Sequence, residues 1–414
     1  MSGNRLLTLE FDKIVPQVQA MGYALAANDA AASQIAEKVW ERFLALSDNE
    51  AIWAQIYIAR EHDAGFRGAG PTEWPDGEPF NSRYPLPECP TEATLLAADG
   101  SQIYPDLHSA LLYYLINIAI FVYHHSADDT AAILPETVTQ PALYFDRSDL
   151  YERDGRLIAN AAINARRSIF ELQMLAREAL QRSSLARPLL TVADGPLLFW
   201  LGKEVSNAQS LMQDYHEAMS VMADIGAGLV GYVDQPRSRF LVHTLYLMEL
   251  DESEINRPTL VTTGDMEGLD DRFLMRYLLA SGDRSALLVQ QSPQNKAFRD
   301  VSDDREIVFF YINVAEPGQE PYIARVEIPM WVAQRPALVN SVHALLYAQC
   351  QITDRYPYVL TRADECAVVH SYEKTALDEM ISIELRRREL PLEQSQKLSM
   401  KNVARAGRQP YQGL

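Results

Sequence analysis

Apolar positions recur along this chain with two different periods. Ile14, Val18, Met21 and Leu25 fall at helical spacing, followed by Ile35, Val39, Phe43 and Leu44, which predicts a helical segment over residues 11–59. Residues 61–89 are then crowded with Gly, Pro and aromatic side chains, as in a long surface connection. Next come two short apolar runs, Leu95-Leu96-Ala97-Ala98 and Leu189-Leu190-Thr191-Val192-Ala193, each closed by Asp-Gly and each read as a buried strand with a carboxylate at its end. Between them, the apolar stretch 110–123 predicts a buried helix packed on the sheet, 145–155 is charged and turn-like, and 156–182 predicts a long helix. The stripe of that helix is Ile158, Ala162, Ile169, Leu172, Leu175 and Ala179. Beyond the second run, the pattern predicts a helix over 205–225, a strand over 228–233, a strand over 240–250 and an acidic loop over 251–271. A hairpin of 307–314 with 322–328, a helix over 336–353 and a helix from near Thr361 complete it. The order is that of a mixed α/β sheet with helices, neither all-parallel nor a plain βαβ series.

Composition adds limits. With 414 residues, 48% hydrophobic and 22% charged, the chain has material for one large α/β core with helical additions. The 110–123 stretch is too short to span a bilayer, the N-terminus shows no signal-peptide pattern, and Cys89, Cys350 and Cys366 have no Cys-x-x-Cys spacing. A cytoplasmic, reduced setting without membrane contact or zinc is the expectation. A formal charge of −19 argues against a general nucleic-acid coat protein, so any contact with DNA must rest on local positive charge. The tail holds such an excess: Arg386, Arg387, Arg388, Lys397, Lys401, Arg405 and Arg408 against Glu389 and Glu393, which a solvated helix face would equally explain.

The candidate chemistry lies in carboxylates. Asp-Gly is a common turn dipeptide, but two copies behind similar strands, with Glu171 beside the helix stripe between them, make a set of acids suited to Mg(II) or Mn(II). Such ions activate water and stabilise a leaving oxygen in phosphodiester cleavage, which points to a nuclease. Glu171 also has Arg167 four residues before it, the spacing of an ordinary helix-surface ion pair. No P-loop and no Gly-x-Ser-x-Gly elbow occurs. His124 and His125 read as a helix-end feature, with His243 and His370 as spare candidates.

The ordered set Ala-Asp99-Gly-Ser, Arg167 before Glu171 on a long helix, Asp194-Gly-Pro-Leu, Val230-Gly-Tyr-Val-Asp234 and Tyr356-Pro-Tyr-Val-Leu-Thr-Arg-Ala-Asp364-Glu resembles the NurA nuclease family over roughly 91–370. The resemblance implies an RNase H-like mixed sheet core flanked by helices. It also implies a Mn(II)- or Mg(II)-dependent 5′-to-3′ DNA exonuclease with single-strand endonuclease activity, a homodimer, and a HerA-type hexameric ATPase as partner. By the same resemblance Asp99, Glu171 and Asp194 match three acidic metal ligands. Two positions depart from the family pattern: Asp234 stands where a Lys is common, and Asp364 follows Ala363 where a His is common. Asp364 would complete the cage as a fourth hard ligand, and a helix N-terminal acid is the plainer reading of it.

For DNA contact the candidates are Arg167, Tyr232, Arg237 and Arg239. Tyr232 would stack on a base if it is not a core residue, and the two later arginines follow a Pro-containing turn and would grip phosphate. The expected organisation is an N-terminal helical arm over 1–60, a connection over 61–90, the nuclease domain over 91–375 and a basic C-terminal helical extension over 376–414. The alternatives are a catalytically weakened structural subunit that caps the ATPase and an RNA-directed RNase H-like enzyme.

Overall fold

A computed structural model describes residues 9–390 apart from 64, 73–76, 108–110, 128–132, 153, 186, 203–204 and 206. Lys397, Lys401, Arg405, Arg408 and the rest of the expected basic extension past 390 lie outside the described residues. The chain divides into two compact units, Met1–Leu86 with Asp234–Arg325, and Pro87–Val233 with Val326–Leu414.

The first unit begins with α1 (Phe11–Ala45) and α2 (Asn49–His62), separated where Asp48 caps α2 by accepting from the N–H groups of Glu50 and Ala51. Val39 and Phe43 of α1 are buried in this unit's core with Ile52 and Ile56 of α2, whereas Val18, Met21 and Leu25 are exposed. Two short strands follow, β1 (Ala69–Pro71) and β2 (Arg83–Tyr84).

The chain then enters the second unit through β3 (Glu92–Ile103), β4 (Tyr114–Ser126) and β5 (Glu136–Tyr144), an antiparallel meander. After a single turn, α3 (Arg147–Leu150), comes α4 (Asn160–Gln181), then β6 (Leu189–Asp194), α5 (Ala208–Asp224) and β7 (Gly228–Val233). Strand β6 runs parallel to β3, and β7 runs parallel to β6. The spatial order is therefore β5-β4-β3-β6-β7. An antiparallel meander extended by two parallel strands and flanked by helices is mixed α/β and consistent with an RNase H-like core.

One expectation fails here. The stretch 110–123 is not a helix but mostly the strand β4. Ile116, Ile118, Ile120 and Val122 are β-branched and buried, and both α4 and α12 (Tyr358–Ala367) pack against this strand. A strand covered on both faces loses its polar alternation and looks like a buried helix by periodicity. His124 and His125 accordingly sit at a strand end, where His125 Nε2 lies 3.1 Å from the Pro90 carbonyl.

Back in the first unit come α6 (Phe240–Leu247), α7 (Arg257–Leu260), α8 (Asp271–Leu278), β8 (Arg284–Ser285), β9 (Leu288–Gln290), α9 (Pro293–Val301) and β10 (Ile307–Asn313). The expected strand over 240–250 is the helix α6. Its side chains Leu241, Val242, Thr244, Leu245 and Leu247 are buried on all sides, so no stripe marks it. Its cap is tertiary: the Asp271 carboxylate accepts from the N–H groups of Phe240, Leu241 and Val242 at 2.8, 2.9 and 3.1 Å. The predicted hairpin forms from β10 and β11 (Ile323–Pro329), with Val314 N–H donating to the Tyr322 carbonyl. In the second unit α10 (Met330–Ala333), α11 (Pro336–Ile352), α12 and α13 (Ser371–Arg387) end the described chain. The three cysteines form no disulfide. Among the described residues no helix is long and apolar enough to cross a membrane.

Candidate active site

Strand register brings the two Asp-Gly aspartates side by side. The last paired positions of β3 and β6 are Ala98 and Ala193, and Asp99 and Asp194 each stand one residue beyond. Their settings differ. Asp194 ends β6 and is exposed, and Gly195 turns the chain with a φ of +98°, a conformation that favours glycine. The following loop is fixed from below: Gly195 N–H donates to the Tyr232 carbonyl, Leu197 N–H to buried Glu327, and the Tyr215 hydroxyl to the Leu197 carbonyl. Asp99 does not end its strand, as β3 continues to Ile103. Gly100 is instead a gap. A Cβ there would stand 2.7 Å from Glu171 Oε1 and 2.9 Å from Arg167 Cγ, so its absence leaves the space on the α4 face that this pair fills.

The fourth acid arrives on α12. Ser101 Oγ and Asn117 Nδ2, level with each other on β3 and β4, both donate to the Ala367 carbonyl at 2.5 and 2.9 Å and dock that helix. Ser101 lies two residues from Asp99, hence on the same face of the strand. Exposed Asp364 of α12 lies near enough to the Asp99 carboxyl to raise its pKa. Glu171 comes from the opposite face, across the Gly100 gap.

Electrostatics tie these groups together. Burial pushes Asp99 up to about 6, the Gly100 N–H opposes that rise, and Asp364 adds to it. Burial pushes Glu171 up to about 8; Arg167 opposes, and the charges of Asp99 and Asp194 add to the rise. Arg167 Nε lies 3.1 Å from Glu171 Oε1, but the two are not aligned as a hydrogen bond, and both atoms are buried without a hydrogen-bond partner. The guanidinium is held by Nη1, which donates to the Gly100 carbonyl and to Gln102 Oε1 at 3.2 and 2.9 Å.

The donor set fits a hard divalent cation: all four groups are carboxylates, and a single arginine leaves Glu171 with an unsatisfied buried oxygen. Among the described residues, however, no three His, Cys, Asp or Glu side chains stand close enough to hold a metal ion as they lie. Glu171 is turned toward Arg167.

Tyr232 is 0% exposed, with its hydroxyl donating to the Arg355 carbonyl and its ring edge-on to Tyr356, the setting of a core side chain. Central position on a doubly covered sheet explains this. Arg237, Arg239 and Asp234 belong to the first unit. Arg237 is exposed, Arg239 is ion-paired with Glu267 at 3.0 Å, and Asp234 accepts from the Tyr322 hydroxyl. Arg167 contacts Gly100, Gln102 and Glu171. The sequence motifs contain Gly100 and Ser101 without assigning them a role, and sequence reasoning gives none to Gln102 and Asn117 either. Asn117, a polar residue inside an apolar run, was the one available signal.

The family model described as the NurA domain matches residues 93–369. No curated protein matches. Among solved structures, a crystal structure of Drosophila Piwi aligns at a TM-score of 0.27 and 12% identity, over 66% of this chain and 29% of that one.

Proposed function

The chain belongs to the NurA family, a family of nucleases linked to HerA, and from that premise we propose that it is a metal-dependent deoxyribonuclease. In this reading it cuts single-stranded DNA internally and digests DNA ends in the 5′-to-3′ direction, as a homodimer fed by a HerA-type hexameric ATPase. The observation that supports the reading is the register that sets Asp99 and Asp194 at one level on adjacent strands, with Glu171 and a single arginine beside them at Gly100.

These four carboxylates would hold Mn(II) or Mg(II), ions that favour oxygen donors. Bound there, the cation supplies Lewis-acid activation of water and stabilises the leaving oxygen of the phosphodiester. The chain's own residues prepare the site. Gly100 lets Glu171 approach β3, and Arg167 steadies Glu171 and the β3 backbone. Burial holds the Asp99 carboxyl above its usual range, and a bound cation would favour its ionised form. Gly195 and its anchored loop keep Asp194 level with Asp99. A charge of −19 suits a nuclease that receives DNA from a motor rather than capturing it unaided.

The test is cleavage of 5′- and 3′-labelled single-stranded and blunt duplex DNA with Mn(II) or Mg(II), with and without the ATPase, alongside light scattering for the dimer. Cleavage by the wild type that vanishes in Asp99→Ala and Asp194→Ala supports the reading. A wild type that binds the ATPase yet cuts nothing with either ion overturns it in favour of a structural cap. Cleavage confined to RNA/DNA hybrids would overturn it in favour of an RNase H-like activity.

A further inference from the structure

We infer that Arg167 is a built-in stand-in for the cation, a positioning residue that holds Glu171 beside β3 and must yield Glu171 Oε1 when a divalent ion enters. This deepens the nuclease reading above and rests on it. Three observations carry it. Arg167 Nε and Glu171 Oε1 are 3.1 Å apart with side chains only 29% and 19% exposed, and neither atom has another hydrogen-bond partner. The other arm of the guanidinium is fastened to the Gly100 carbonyl and Gln102 Oε1, groups that are not acids, so Arg167 stays in place when Glu171 turns away. The missing Cβ of Gly100 is the opening through which both side chains reach the strand.

A fixed positive charge beside an acidic cage has two opposite effects. It lowers the repulsion among the carboxylates when no ion is present, which stabilises the empty site. It also repels an entering divalent ion and competes for one of its ligands, which weakens binding. A residue that merely packed α4 against β3 would show neither dependence on the ion.

The experiment measures Mn(II) binding by calorimetry and melting temperature with and without Mn(II), at pH 8.5 where proton competition is small, for the full chain, Arg167→Gln and Arg167→Lys. The expected result is Mn(II) binding at least ~10-fold tighter in Arg167→Gln, by the Coulomb scale of one removed charge near the ion. Arg167→Lys, which keeps the charge, should stay within ~2-fold of wild type on the same scale. Arg167→Gln should melt below wild type without ion and recover most of that loss at saturating Mn(II). An Arg167→Gln protein that binds Mn(II) no tighter, or is destabilised equally with and without it, overturns the inference alone. A wild type that binds no Mn(II) overturns the inference and the nuclease reading together.

Discussion

Replacing Gly100 with alanine adds one methyl group at the most crowded point of the site. The new Cβ would lie 2.6 Å from Ile118 Cδ1, 2.7 Å from Glu171 Oε1 and 2.9 Å from Arg167 Cγ, all closer than real contacts allow. None of the three neighbours can give way freely. Ile118 is fully buried in β4, and Arg167 is tied to the carbonyl of Gly100 itself. Overpacking of this kind costs about 1–3 kcal/mol. Alanine's smaller loss of backbone freedom returns about 0.5–1 kcal/mol. A net destabilisation centred on about 1 kcal/mol and reaching about 2.5 kcal/mol follows from these two terms. The effect on chemistry should be larger, since Glu171 must move and a displacement near 1 Å at a reacting centre can cost about 10²-fold. Urea unfolding followed by circular dichroism reads the first quantity as a shift of midpoint at constant slope. Mn(II)-dependent cleavage of labelled single-stranded DNA reads the second. Gly195→Ala is the control: nothing lies within 4 Å of its Cβ, so its cost is only the strain of a φ of +98°, about 1–2 kcal/mol. A Gly100→Ala protein that keeps its stability within about 0.5 kcal/mol, the range of an ordinary surface change, and cuts DNA at wild-type rates would refute the gap argument.

Other outcomes follow from the same geometry. Metal-free protein should lose stability as pH rises from about 4.5 to about 8, because folded Glu171 keeps a proton that the unfolded chain has released; Asp99 acts alike between 3.8 and about 6. That contribution is fully present below the lower value of each window and lost through the upper one, so melting curves in chelator should fall with pH. Glu171→Gln should flatten the curve, and a slope equal to wild type would count against it. Asp271→Ala removes the acceptor for three N–H groups of α6 and for the Tyr311 hydroxyl, and should cost about 3 kcal/mol in urea unfolding; a loss under about 1 kcal/mol would refute the capping role. Tyr232→Phe, which removes only the hydroxyl bond, should cost about 1 kcal/mol of stability, and Tyr232→Leu, which removes the ring, should leave single-stranded DNA affinity unchanged. A large drop in affinity would reopen the stacking role.

How much of this was legible in the sequence depended on whether the deciding contact was local. The long helix α4 announced itself, since its stripe from Ala162 to Ala179 faces one core and its other side faces water. The strands β3, β6 and β7 were readable as apolar runs bounded by glycine or aspartate. Strand β4 and helix α6 were misread because each is covered on more than one side, which erases the period that tells strand from helix. The hint against a helix in β4 was chemical: isoleucines at 116, 118 and 120 are poor helix choices and good strand ones. The cap of α6 was out of reach, since Asp271 lies far downstream of the N–H groups it serves.

The two Asp-Gly phrases show the same limit within the site. By sequence they are one motif, and both aspartates do arrive on adjacent strands at one level. Their glycines answer different demands: Gly195 turns the chain where a side chain would be strained, and Gly100 sits inside a strand where a side chain would fill the path of Glu171. The second demand comes from α4, and it would vanish if that helix packed half a turn differently. Asp364 depends on still more of the fold, because α12 is set against β3 and β4 by Ser101 and Asn117 at the Ala367 carbonyl. The fourth carboxylate therefore reaches Asp99 only after the meander and the C-terminal helices have both formed. Loosening that docking, as in Asn117→Ala, should lower the raised pKa of Asp99 by moving Asp364 away, while Asp194 and Glu171 stay where β6 and α4 hold them.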